Sequence, residues 1–280
     1  MAGRTGSPEA VPDRVALRAG DARVVVRPGA GGRIGSVELA GVELLVTDSP
    51  DGPIHWGAYP MVPWAGRIRN GRFSFRGHAH QLPLGMPPHA IHGVAFDRPW
   101  TVIEQTPASA TLSIELDARW PFRGRVTQRI VVEPGGLEAV LRLEADEAMP
   151  VTMGWHPWFR RQIGGADAAP VALRFDPDRM LERDRTGIPT GELVEPTPGP
   201  WDDAFTDLRS NPVLEWPGRL RLEISSTCRW WVAYTQPVDA LCIEPQSGPP
   251  DAVNIAPVVV DAGGTLEHSM RWAWSTPLDG

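Results

Sequence analysis

The segment 240–254, ALCIEPQSGPPDAVN, sets a single carboxylate, Glu244, between an apolar run and a proline. The run 240–243 reads as a buried strand, and a proline cannot continue a central strand. Glu244 is therefore expected at a strand end facing a cleft. A carboxylate beside a buried run is readily desolvated and made more basic, which suits a general base. Taken alone, it better fits an ion pair at a sheet edge with one of the chain's many arginines. The segment 151–159, VTMGWHPWF, encloses one imidazole, His156, among two indoles and a benzyl ring. Partial desolvation holds such a group at or below about 6.5, where it can give or take a proton at neutral pH. A histidine satisfied inside an aromatic core is the competing reading. His92, flanked by Ile91 and Gly93, is shielded in a similar way. His78, His80 and His89 complete a histidine-rich block, but no Cys or Glu pattern of recognised ligand spacing accompanies it, so no metal site is expected.

Three further groups are suited to holding a polar ligand. Arg67 follows a proline-rich approach and lies just ahead of a strand around Phe73, which places a guanidinium at the lip of a sheet. Asp202 stands beside aromatic residues in WDDAF, and Gln236 in YTQP offers an amide. Trp64, Trp100, Trp155 and Trp158 are candidate stacking platforms for an apolar ligand face, although half or more of the twelve tryptophans are expected in the core.

The elements that must position these groups are strands. The chain has 280 residues with 30 Pro and 29 Gly, scattered so that almost no window of helical length escapes a breaker. Short strands are read at 15–17, 22–26, 33–39 and 42–46. Leu112, Ile114 and Leu116 alternate with polar residues, as do Leu220, Leu222 and Ile224, the period of a strand with one wet face. Pro134, Gly135 and Gly136 separate strand patterns at 126–133 and 137–144, an antiparallel hairpin, and the last strand is read at 268–274. Strand signals recur without helical crossovers, so the expected fold is an all-β antiparallel sandwich. Residues 1–12 read as a disordered tail and 13–280 as one domain. The formal charge is −7, and the 27 basic residues, all arginine, are interleaved with acids. This gives no surface for nucleic acid or an anionic membrane. Two cysteines, Cys228 and Cys242, lie in apolar segments and exclude a disulfide framework. No stretch approaches a membrane span and the start lacks a signal-peptide core, so a cytoplasmic location is expected.

In this order and wording, the blocks resemble the aldose 1-epimerase (galactose mutarotase) family, from about Val15 to Trp274. The family's Asn-Arg-Ile ahead of Gly-x-Phe is similar to Gly66-Arg67-Ile68 before Gly71-Arg72-Phe73, and its Leu-His-Gly to Ile91-His92-Gly93. Its His-x-Tyr-Phe resembles His156-Pro157-Trp158-Phe159, its Asp-His-x-Phe Asp202 to Phe205, and its Thr-Gln-Pro Thr235-Gln236-Pro237. The most specific element, Glu-x-Gln followed by Pro-Asp-Ala-x-Asn, matches Glu244-Pro245-Gln246 and 250–254. The departures are Gly66 for asparagine, Trp158 for tyrosine and a shortened segment between Gln236 and Glu244.

The resemblance implies a twisted β-supersandwich of two large, mainly antiparallel sheets. It also implies cofactor-free interconversion of the anomers of a free aldose. Glu244 is then the general base and His156 the general acid, with His92 donating near the ring oxygen. Arg67, Asp202, Gln236 and Trp158 hold the sugar. This assignment starts from a charged Glu244 and a protonated His156. The expected partner is a small sugar, and the chain is a monomer or homodimer. An epimerase of a phosphorylated or sulfonated sugar and a non-catalytic carbohydrate-binding protein are the alternatives on the same fold. A glycoside hydrolase would need a second carboxylate to pair with Glu244, with Asp202 the one motif-borne candidate.

Overall fold

A computed structural model describes residues 12–165 and 167–276. Apart from exposed Pro12, the tail expected over 1–12 lies outside the described residues. The alternation seen in the sequence builds two large sheets. In Gly124–Glu133, Val126, Gln128, Ile130 and Val132 are buried while Arg125, Arg129 and Glu133 face solvent, as the two-residue period of a strand requires. This strand and Gly136–Ala145 form the expected hairpin, with a turn shortened to Pro134 and Gly135 because Gly136 already pairs with Glu133. Thr265–Ser275 pairs with Gly136–Ala145 on one side and with Leu220–Ser226 on the other, at the centre of an eight-stranded sheet. The strand read at 42–46 is shorter, Val42–Glu43, because the Glu43 carboxylate turns back to accept from the backbone N–H groups of Val37 and Leu45.

The second sheet has twelve strands and carries the site. Along its middle run, in hydrogen-bonded order, Arg33–Leu39, Ala58–Met61, Gly154–Pro157, Ala240–Gln246, Trp230–Tyr234 and Asp202–Leu208. Their partnerships are antiparallel. The two sheets enclose one apolar core, in which Ile34, Trp155, Phe159, Leu241 and Ile243 meet Ile130, Leu141, Leu222 and Trp272. The middle strands are buried on both faces, since their opposite side is covered by a second apolar group that includes Tyr59, Met61, Trp158 and Cys242. The α-helix found among the described residues is the single turn Ala252–Ile255, as the density of proline and glycine requires. Among the described residues, no helix is long and apolar enough to cross a membrane.

Glu244 is not at a strand end. Ala240–Gln246 continues through Pro245 to Gln246 in the middle of the sheet. One side of this strand is paired with Trp230–Tyr234. On its other side ladder partners occur only at its extremities, Gly154 opposite Gln246 and Phe159 and Arg160 opposite Leu241 and Ala240. Residues 242–245 need no ladder donor there, which lets a central strand carry a proline.

Candidate active site

The period of two sorts Ala240–Gln246 into two sets. Leu241 and Ile243 point into the inter-sheet core, so Cys242, Glu244 and Gln246 share the opposite face. The neighbouring strand does the same. Trp155 enters the core, where its indole N–H donates to Gln128 Oε1 at 3.0 Å, and His156 points the other way. Gly154 permits the two strands to approach, because a Cβ there would lie 2.3 Å from the Pro245 carbonyl oxygen. The result is a contact of 3.3 Å between His156 Nε2 and Glu244 Oε1. Gln246 Nε2 donates to the other carboxylate oxygen at 3.1 Å.

Aromatic rings hold the imidazole. Tyr59 stacks on His156 at 4.9 Å and Trp158 at 5.4 Å, nearly parallel at 7°, while His92 meets it edge-on at 5.0 Å. Tyr59 is itself fixed by its hydroxyl, which donates to Ile54 O at 3.1 Å. Beside it lies the guanidinium of Arg33, fully buried, which donates to the carbonyls of Ala30, Pro53, Trp56 and Phe96 at 2.6 to 2.9 Å. Burial pulls Arg33 down to about 10.

His92 and Arg67 arrive together on a two-stranded ribbon, Arg67–Ile68 against Ala90–Ile91. His92 takes a left-handed backbone conformation, φ 57°, and its N–H donates to Gly66 O at 3.0 Å. Gly66 is likewise left-handed, φ 68°, and a Cβ there would lie 2.8 Å from the Pro250 side chain. That contact accounts for a glycine at this position of the chain. The 250–254 motif locks the ribbon from outside. Asp251 N–H donates to Arg67 O at 2.6 Å, and the Asp251 carboxylate accepts from Arg69 N and Asn254 Nδ2 at 3.0 and 2.7 Å.

Arg67, His92, His156, Trp158, Asp202 and Glu244 all line one cleft. It encloses ≈ 720 Å³ of space when open solvent at the mouth is included. Its floor is the buried pair, Glu244 at 2% exposed and His156 at 5%. Its wall is ionic but balanced. Arg67 reaches Asp202 at 3.2 Å, and Arg183 reaches Asp203 at 2.6 Å and Asp202 at 3.6 Å.

Desolvation dominates the electrostatics of the floor. It pushes Glu244 well above the usual carboxylate range, helped by the charge of Asp202. It pulls His156 well below 6.5, with the neighbouring His92 and His55 acting in the same direction. His92 falls to about 3 through burial and the Arg67 charge. Both directions oppose the starting state expected from the sequence, an ionised Glu244 beside a protonated His156. Burial favours a neutral carboxyl beside a neutral imidazole, and this pair carries the same single proton as the ion pair.

Gln236 does not join the cleft. It is exposed on the loop after Trp230–Tyr234, and it is absent from the cleft lining. Its neighbour carries the structural work of the Thr-Gln-Pro turn: Thr235 N–H donates to Trp201 O, and Trp201 N–H donates to Thr235 Oγ1, each at 2.8 Å, fixing the residue before Asp202. Of the four candidate platforms, Trp64, Trp100 and Trp155 belong to the inter-sheet core, and Trp158 lines the cleft. The histidine block is dispersed. His80 stacks on Phe73, and His89 Nδ1 accepts from Asn70 N at 3.2 Å. Gln246 was signalled by its place two residues beyond Glu244. Tyr234, Arg183 and Asp203 also line the cleft, and no local pattern around Arg183 announces it.

The family model described as aldose 1-epimerase matches residues 13–273. The chain belongs to the aldose 1-epimerase family. Among solved structures, it resembles a putative aldose 1-epimerase from Escherichia coli K12, with a TM-score of 0.82 and 19% identity over 94% of this chain and 99% of that one. A galactose mutarotase-like protein from Clostridium acetobutylicum superposes with a TM-score of 0.84 at 17% identity, covering 94% and 95% of the two chains. Galactose 1-epimerase from Lactobacillus acidophilus does so at 0.78 and 17%, covering 94% of each. At these identities the likeness establishes the galactose mutarotase-like fold. The uncharacterized E. coli protein YihR is 27% identical over 162 residues, 55% of this chain and 52% of its own length. The match therefore spans about half of that relative.

Proposed function

We propose that this member of the aldose 1-epimerase family interconverts the α and β anomers of a free aldose by opening and reclosing the ring. The observation that carries this reading is the buried His156–Glu244 contact of 3.3 Å at the floor of a cleft walled by hydrogen-bonding side chains. Ring opening needs one proton to leave the anomeric hydroxyl and another to reach the ring oxygen. Moving the shared proton from the carboxyl to Nε2 makes Glu244 a base for the hydroxyl and His156 an acid for the ring oxygen. Rotation about the first carbon–carbon bond exposes the other face of the aldehyde, and the two groups exchange roles on closure. His92 stays neutral at working pH, so it can donate a hydrogen bond to the ring oxygen without competing for the proton. Arg67 and Asp202 orient ring hydroxyls, and the face of Trp158 receives the apolar side of the sugar.

The matched charges of Arg67 and Arg183 against Asp202 and Asp203 favour an uncharged sugar over a phosphorylated or sulfonated one. An anion would have to displace a carboxylate already paired with each guanidinium. The test is the approach of freshly dissolved α-glucose and α-galactose to equilibrium by polarimetry. Acceleration over buffer is expected with at least one of them. If neither responds while an anionic sugar does, the neutral-substrate reading fails.

A further inference from the structure

We infer that the floor of the cleft is also a binding site for a Zn²⁺-class cation, held by Cys242 Sγ, His156 and Glu244. Cys242 and Glu244 are two residues apart on one strand and face the same side, and His156 faces them from the adjacent strand. One donor atom from each lies within 4.8 Å of the others, and all three residues are buried. Bonds of about 2.0 to 2.3 Å in a tetrahedron place neighbouring ligand atoms about 3.3 to 3.7 Å apart. The imidazole and carboxylate already stand at 3.3 Å, so a small movement of the thiol side chain completes three corners.

The donor set selects the ion. One sulfur, one imidazole nitrogen and one carboxylate oxygen suit Zn²⁺ or Cd²⁺, whereas Mg²⁺ and Ca²⁺ prefer oxygen throughout. His156 and Glu244 line the cleft, so the ion reaches them from the cleft, while Cys242, fully buried, stands outside the lining. Cys242 takes no part in the proton transfers proposed above. The consequence for turnover rests on that function: an ion here occupies the acid and the base together, and metal and sugar exclude each other.

Binding is tested without reference to turnover. Metal-free protein is titrated with Cd²⁺, following the ultraviolet thiolate-to-metal charge-transfer band and the heat of binding. The expected result is one ion per chain with the band present. Cys228, buried in the inter-sheet core, serves as control, and Cys228→Ala should bind as the unaltered chain does. Cys242→Ala and the closer-sized Cys242→Ser should lose the band and weaken binding by about 100-fold or more, since losing a group that only orients a ligand already costs about 10–100-fold. No binding by the unaltered chain, or an unchanged band in folded Cys242→Ser, overturns the site. In the rate assay, saturating Zn²⁺ should slow the unaltered enzyme by about tenfold or more. Cys242→Ser, compared with its own metal-free rate, should be far less sensitive, and equal sensitivity overturns the inhibitory site. A chain that binds Cd²⁺ through Cys242 but turns over no sugar keeps the metal site and loses the proposed function.

Discussion

His92 shows how far burial sets the chemistry of single residues here. Its ring is packed among Tyr59 and His156 and faces the charges of Arg67 and His55. Folding lowers it from about 6.5 to about 3, so between those values the unfolded chain binds a proton that the folded chain does not. Stability must therefore rise with pH across that window and be lost as pH falls through it. His156 acts in the same direction and Glu244 in the opposite one above its ordinary range, so the effect is isolated by difference. In metal-free protein, urea midpoints from pH 4 to 7 should fall more steeply toward acid for the unaltered chain than for His92→Gln. Parallel curves would contradict a neutral, buried His92. That Glu244 and His156 are candidates to meet in one cleft was legible in the sequence because each sits in a short, distinctive context, the lone carboxylate of CIEPQ and the imidazole of GWHPWF. Their protonation was not, since it depends on surroundings brought in by distant segments. Gln236 was misread for a related reason: its tripeptide is informative, but the anchoring falls to Thr235.

At the scale of elements, the site depends on how closely two strands approach. Gly154 faces the Pro245 carbonyl, and a Cβ would intrude to 2.3 Å. Gly154→Ala should push Gly154–Pro157 away from Ala240–Gln246 and widen the His156–Glu244 gap. Displacement on the order of 1 Å at a catalytic pair costs about 100-fold in turnover, so kcat should fall far more than KM rises. An unchanged kcat in steady-state kinetics would show that the strand spacing is not critical. Strands and hairpins were readable where alternation is strict, as in Gly124–Glu133. Ala240–Gln246 was read too short because the sequence shows a proline but not which side of the strand lacks ladder partners.

For the molecule as a whole, the sandwich followed from composition and strand rhythm, but the ties across its loops did not. Arg33 is the clearest case. In sequence it is one of 27 arginines, yet its guanidinium joins four carbonyls from three separated segments beneath Tyr59 and lies 4.1 Å from the Trp56 ring. Arg33→Met leaves those carbonyls without their donor, and at about 1–3 kcal/mol for each buried group left unpaired, a stability loss of about 3 kcal/mol or more is expected. Urea unfolding checks this through a lowered midpoint at unchanged slope. A midpoint within error of the unaltered chain would mean that water replaces the guanidinium without cost. The pairing of strands far apart in sequence, which brings 58–61, 154–157 and 240–246 side by side, makes the floor of the cleft a property of the whole fold. The most direct test of that floor is the α-to-β exchange rate of a responsive aldose at equilibrium, measured by NMR magnetisation transfer with the unaltered chain, Glu244→Gln and His156→Ala. Both variants should lose about 10²- to 10⁴-fold of the catalysed rate, the span of a general acid or base, while keeping the unaltered chain's fold. Exchange that persists undiminished in either folded variant would contradict the assignment of Glu244 and His156 as base and acid.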